Sequence, residues 1–148
     1  MAGKVDVADV LIVGGGASGG VAAKHLAMAG LSVVVLEQGH WTNPSDYPGN
    51  KPEFELAADK EWSPDPNVRG KAEDYPVDWS NSDLSVIMFN GVGGSSVLFA
   101  ACWSRALPSD FRVKSLDGVA DDWPISYEEL EPFYDAMDIE MGVSGLGG

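Results

Sequence analysis

The sequence is poor in cysteine, in basic residues and in long apolar runs, and each shortage excludes something. Cys102 is the single cysteine, so neither an internal disulfide nor a multi-cysteine metal cluster can form, and a buried structural thiol is the expected reading of that side chain. Nine Lys and Arg stand against 23 Asp and Glu, a formal charge of −14. Such a surface repels nucleic acid and anionic membranes, which removes both as partners. No apolar run reaches the length that spans a bilayer, and MAGKVDVADV carries no apolar leader core ahead of the first strand. The expectation is a soluble, unprocessed chain, cytoplasmic by default. At 148 residues it can build one domain with a real core, but it is short for separate cofactor and substrate domains, so a piece of a longer protein is expected.

Glycine, by contrast, is plentiful, with 18 residues, and the first cluster organises Asp9 to Gly39, DVLIVGGGASGGVAAKHLAMAGLSVVVLEQG. Val10 to Val13 and Val33 to Leu36 are short, near-continuous apolar runs, the pattern of parallel strands buried on both faces. Between them Gly14, Gly16 and Gly19 have the GxGxxG spacing. Gly14 permits the tight turn, Gly16 lets backbone approach a pyrophosphate, and Gly19 lets the helix pack on the sheet. The first-turn amides, at Ala17 and Ser18, lie at the positive end of the helix dipole where a phosphate sits. Alanines 17, 22, 23, 27 and 29 favour that helix, Gly30 caps it, and Lys24 and His25 face water. Glu37 ends the second run 18 residues after Gly19, where its carboxylate can accept hydrogen bonds from an adenosine ribose and would repel the 2′-phosphate of NADP. A glycine loop without a ligand is the plain alternative. Strand, turn, helix, strand and acid in register over residues 8–39 favour a dinucleotide cradle.

Residues 40–82 form a proline-rich excursion: Gln38 to Ser80 holds six of the nine prolines together with Trp41, Trp62 and Trp79. Prolines break regular structure repeatedly there, and the aromatics favour an ordered cover over a disordered insert. Leu84, Val86 and Met88 alternate with Ser85 and Ile87, which predicts a third strand over 83–90. GVGGSSVLFAACWSR then reads as a second glycine-rich turn entering a helix, with Ser95 or Ser96 capping its amides. Two such turns in a short chain point to one extended ligand, its nucleotide end at the first and its reactive end at the second; an ordinary serine-capped turn is the alternative. Near the end, Ser126 and Glu129 spell a capping box, and Leu130, Phe133, Tyr134, Met137 and Met141 follow at helical spacing as a core stripe. Pro132 predicts a helix restart. The tail from Gly142 to Gly148 reads as flexible and uncapped, a chain cut within a loop.

These residues together resemble the N-terminal FAD-binding part of the glucose-methanol-choline (GMC) flavin oxidoreductases. The resemblance is carried by Glu37, Gln38 and Gly39 after the cradle, and by Gly93, Gly94, Ser95 and Ser96 followed by Arg105, Pro108, Asp110 and Phe111. The segment Asp122 to Tyr134, DWPISYEELEPFY, is similar to the gluconate, fructose and pyranose dehydrogenase or oxidase branch. The resemblance implies an α/β fold, a Rossmann-like FAD-binding domain with a parallel sheet, incomplete because the C-terminal substrate domain is missing. Its parts are the cradle (8–39), the excursion (40–82) and the flavin-contacting turn with following helices (83–148). It implies FAD held by Gly14, Gly16, Ala17, Ser18, Gly19, Glu37, Gln38, Gly93, Gly94, Ser95 and Ser96. The implied reaction is oxidation of a CH–OH donor, a small alcohol or sugar, by hydride transfer to flavin N5, with a histidine of the far C-terminal part as base. Neither His25 nor His40 matches that histidine, so this chain alone is expected to bind FAD without turnover.

Two departures qualify the carry-over. Leu98 stands where some members attach flavin covalently to histidine, which implies non-covalent FAD here, and Phe99 replaces an asparagine that makes a polar contact near the flavin in many members. The resemblance names no electron acceptor or partner subunit. An NAD-dependent or other flavoprotein enzyme sharing the first cradle, and a non-catalytic nucleotide-binding module, remain alternatives. The GGSS-to-Arg105 segment discriminates, because the cradle alone does not predict it.

Overall fold

A computed structural model describes residues 7–47, 51–58, 60–72, 74–98 and 102–145. Phe99 and the last residues, Leu146, Gly147 and Gly148, lie outside the described residues. The chain divides into two units, Met1–Ala100 and Ala101–Gly148.

In the first unit the apolar runs become β1 (Val10–Val13) and β2 (Val33–Leu36), parallel, with Val10 opposite Val33 and Val13 opposite Leu36. Parallel partners require a crossover, and α1 (Ala17–Met28) supplies it. The helix closes at Ala29, and Gly30 adopts φ +90° with its N–H donating to the Ala27 carbonyl. A Cβ on Gly19 would lie 2.0 Å from the Gly14 carbonyl oxygen and 3.4 Å from Ile12 Cγ2. Helix and strand therefore meet at a distance that only glycine permits, as the spacing predicts. The expectation of strands buried on both faces fails, since Leu11 is 59% and Val13 81% exposed. Only the α1 side of this sheet, two-stranded among the described residues, is packed.

Side chains pin both ends of the strand pair. At one end the Ser32 N–H and hydroxyl donate to the Asp9 carboxylate at 2.8 and 2.7 Å, and these bonds, the hydroxyl's first, hold that carboxyl below its usual range. At the other end the Glu37 carboxylate accepts from the Gly15 N–H (2.6 Å) and the Gly39 N–H (2.8 Å).

The excursion is ordered where described. It holds a 3₁₀ turn (Pro44–Asp46), α2 (Phe54–Ala58) and α3 (Pro66–Arg69). Asp65 starts α3 by accepting from the Asn67 N–H, Pro66 takes the first-turn position, and Gly70 at φ +56° ends it. Tyr47, Trp62 and Phe89 form an aromatic row with centroid separations of 5.3 and 5.8 Å. The strand expected over 83–90 does not form. Its backbone donors go elsewhere, Met88 N–H to the Pro64 carbonyl (3.0 Å) and Phe89 N–H to Ser95 Oγ (3.1 Å), so no sheet neighbour receives them.

The second unit contains a 3₁₀ turn (Pro108–Arg112), α4 (Val113–Asp117) and α5 (Tyr127–Met141). The capping box forms as predicted: Ser126 Oγ accepts from the Glu129 N–H at 3.3 Å, and the Ser126 N–H donates to Glu129 Oε2 at 2.7 Å. No restart occurs at Pro132, which lies inside a continuous helix; the missing N–H there removes one ladder bond without ending the run. Gly142 is not an uncapped tail residue, because at φ +69° its N–H donates to the Asp138 and Ile139 carbonyls. The α5 stripe is only partly core: Tyr134 packs 5.9 Å from the Tyr127 ring, whereas Phe133 and Met141 are exposed. Cys102 is exposed too, contrary to the buried thiol expected, because the stretch from Cys102 to Leu107 is irregular backbone that packs little around it.

Two tests follow from this packing. Gly19→Ala is expected to destabilise by about 1–3 kcal/mol, whereas Gly20→Ala, which meets nothing within 4 Å, is expected to stabilise by roughly 0.5–1 kcal/mol; urea unfolding of both variants measures the contrast. The Glu37 carboxyl titrates below its ordinary 4.5, chiefly through the Gly39 and then the Gly15 N–H. A depressed folded-state value means that stabilisation is present above the unfolded value and is lost as pH falls through the folded one. The stability gap between wild type and Glu37→Gln is therefore expected to be widest above about pH 4.5 and to close in acid, as read from thermal melts across pH.

Candidate functional site

The first glycine turn is built by its hydrogen bonds. Gly14, at φ +99°, donates its N–H to the Leu36 carbonyl at 2.7 Å, fastening the end of β1 to the end of β2. Gly15 is fixed through the Glu37 carboxylate. Gly16 is the N-cap of α1, with no side-chain cap bond and no acidic residue in the first turn. The positive end of a 12-residue helix is thus left without an anionic side chain of its own, with Ala17 and Ser18 exposed on that turn.

The second turn docks on the first through backbone hydrogen bonds. The Gly93 N–H donates to the Gly15 carbonyl at 2.8 Å, and the Val92 N–H to the His40 carbonyl at 3.1 Å. Isolated parallel bridges pair Gly16 with Gly93 and His40 with Gly91. A Cβ on Gly94 would sit 3.4 Å from Gly16 Cα, and one on Gly39 would overlap the Gly91 nitrogen at 2.2 Å. Gly39 and Gly91 are therefore essential spacers that the motif spacing does not name. The signal was available in Gly39 following directly on the acid and in Gly91 preceding the GG pair.

The two serines do not cap a following helix. Residues Gly94–Leu98 form a 3₁₀ turn, Ser95 Oγ accepts from the Phe89 N–H, and the Ser96 hydroxyl donates to the Gly93 carbonyl at 2.5 Å. Both serines serve the turn itself. Leu98 is half-buried at the end of this turn, and Gln38 is exposed between Glu37 and Gly39.

The structure thus brings Gly14, Gly16, Gly93 and Gly94 to one backbone junction, with Glu37 bonded to Gly15. A Cβ on Gly14 meets nothing within 4 Å, and one on Gly16 meets only the Gly93 carbonyl oxygen at 3.9 Å. Among the described residues, no other atom comes within 4 Å of these two positions. Chemically the junction offers amides and a helix end to an anion. Each Glu37 oxygen already holds one amide and keeps a lone pair for a hydroxyl donor, and the Gly39 and Gly15 N–H bonds hold the carboxyl below its ordinary value.

In the second unit Arg105 is a brace for α5. Its Nε donates to Asp138 Oδ2 (3.0 Å), its Nη2 reaches Asp135 Oδ1 (2.7 Å), and the Trp103 indole takes Asp138 Oδ1 (2.7 Å). The Arg105 bonds, then that of Trp103, hold Asp138 below the usual carboxylate range. Asp110 accepts from the Leu107 N–H at 2.7 Å, and Phe111 is buried, edge-on to Tyr127. Among the described residues no group of three His, Cys, Asp or Glu is arranged to hold a metal ion, and no helix is long and apolar enough to cross a membrane.

The NAD(P)-binding Rossmann-like domain family matches residues 12–75. The chain is 42% identical to 2-methyl-1,2-propanediol dehydrogenase of Mycolicibacterium austroafricanum over 98% of its own length and 26% of the relative's. It is 34% identical to the fructose dehydrogenase large subunit of Gluconobacter japonicus, over 95% of the chain and 28% of the relative, and 33% identical to paromamine 6′-oxidase of Streptomyces fradiae, over 93% and 24%. It spans about a quarter of the length of the relatives it matches. The Rossmann-like α/β fold and the matched relatives agree: the homologues of this chain are GMC-type oxidoreductases, and the chain matches their N-terminal region.

Proposed function

We propose that this chain holds FAD, non-covalently, in an oxidoreductase that acts on the CH–OH group of a small alcohol or sugar. The observation that carries the proposal is the backbone junction between the two glycine turns, Gly93 N–H to Gly15 carbonyl at 2.8 Å. A mononucleotide needs only the first turn; a second close-approach turn bonded to it suits a ligand that continues past the pyrophosphate. The names of the relatives, a propanediol dehydrogenase, a fructose dehydrogenase and a paromamine oxidase, support CH–OH chemistry for the whole protein.

The roles divide by element. Gly14, Gly16, Ala17, Ser18 and Gly19 receive the pyrophosphate on backbone amides and the helix end. Glu37, with Gln38 beside it, accepts the ribose hydroxyls while its charge repels a 2′-phosphate. Gly93, Gly94, Ser95 and Ser96 line the path toward the flavin. Leu98 has no nucleophilic atom, so no covalent link forms there. FAD, when bound, supplies the two-electron acceptor for the alcohol carbon; what these residues contribute is binding and orientation. No catalytic residue is assigned within the chain, and on its own it is proposed to have no turnover.

Incubation with FAD, removal of free cofactor and an absorbance spectrum test this reading. A retained flavin spectrum released into the supernatant by acid is expected; colour left in the precipitate, or a folded chain that takes NAD and not FAD, overturns it. Gly16→Ala separates ligand from fold. Its φ of −74° suits alanine and its Cβ meets described residues only at 3.9 Å, so the loss of stability is expected to stay within the roughly 1 kcal/mol by which alanine is poorer than glycine at an N-cap. The added methyl faces the pyrophosphate approach, and FAD affinity is expected to fall about ten-fold or more, equivalent to about 1.4 kcal/mol.

A further inference from the structure

Arg69 lies within the excursion, and its side chain is 1% exposed beside an Asp74 side chain at 4%. The guanidinium forks onto that carboxylate, Nε to Oδ2 and Nη2 to Oδ1, both at 2.9 Å. Its Nη2 also donates to the Met88 carbonyl at 2.8 Å, its Nη1 donates to the Ser63 carbonyl, and its carbon Cζ stands 5.3 Å from the Phe89 ring centroid. A buried ion pair is weak evidence for stability, because apolar side chains of similar volume often do as well. What apolar side chains cannot do is fix carbonyls at set angles, and a planar guanidinium with five donors can.

The position fixed is that of the second glycine turn. Phe89 contacts both the Arg69 guanidinium and the stacked Trp62 ring. Its N–H donates to Ser95 Oγ, and its ring fills the space a side chain on Gly91 would need, with Cε1 only 2.6 Å from that Cβ position. Gly91 in turn pairs with His40, and Gly93 with the cradle. We propose that Arg69, buried in the excursion with Asp74, is a positioning residue that sets the second glycine turn against the dinucleotide cradle and thereby tunes affinity for the flavin end of the ligand. The inference rests on the FAD reading above, and it assigns the excursion a part in binding although none of its residues belongs to the proposed contact set.

The test uses the whole chain and two probes, FAD and ADP, since ADP needs only the first turn. Arg69→Lys keeps the charge and loses the fork. The double substitution Arg69→Met with Asp74→Leu removes the pair and leaves no buried charge unpaired, so it guards against simple failure to fold. Both are expected to bind ADP within about two-fold of wild type and FAD about ten-fold or more weakly by calorimetric titration, with the bound-flavin spectrum shifted toward that of free flavin. Wild-type FAD binding and spectrum in both variants overturn the inference, as does parallel weakening of ADP and FAD, which marks a general structural role. A wild-type chain that takes ADP but not FAD, or neither, overturns the functional reading and this inference with it.

Discussion

Everything in the first unit depends on two stretches of backbone approaching without side chains between them. The Gly15 carbonyl and the Gly93 N–H meet at 2.8 Å, and the neighbouring approach of Gly39 to Gly91 is available only because Gly39 presents no Cβ to the opposing stretch of chain. A methyl at Gly39 would overlap the facing nitrogen outright. The hydrogen bond is individually modest, but it is the point at which residues far apart in sequence become one surface. The strand pair and α1 bring the first turn to that point, and the excursion's aromatic row brings the second.

The cradle was the most legible part of the sequence, because its signals are local and agree with one another. Apolar runs of four, glycines at fixed spacing and a helix-favouring segment specify β1, α1 and β2 without help from the rest of the chain. The capping box at Ser126 and Glu129 was legible for the same reason. The 83–90 segment was misread because alternation is only a statement about side chains. Whether a strand forms is decided by where the backbone donors go, and here Pro64 and Ser95 take those of Met88 and Phe89.

The candidate site was legible in its residues and illegible in its joinery. Glu37 could be picked out as a hydroxyl acceptor, yet nothing in the sequence says that its carboxylate also ties Gly15 to Gly39. The sequence predicts that Ser95 or Ser96 caps a following helix, but their actual partners, Phe89 N–H and the Gly93 carbonyl, depend on a turn geometry that glycine leaves open. Arg69 gives no sequence signal at all, being one cation in a proline-rich stretch. Its weight comes from burial and from four simultaneous partners, and burial is a property of the tertiary fold.

The bridge between His40 and Gly91 closes a loop of about fifty residues that contains the whole excursion. Closing such a loop costs entropy that grows only logarithmically, about 0.6 kcal/mol for each doubling of length. Lengthening its exposed stretches is therefore a smaller perturbation than losing one good hydrogen bond, whereas moving Arg69 by a single position would turn its fork away from Met88 altogether. The excursion is thus elastic in size and rigid in one register, and insertions are expected to be tolerated in it where they leave the aromatic row and the path from Ser63 to Asp74 untouched.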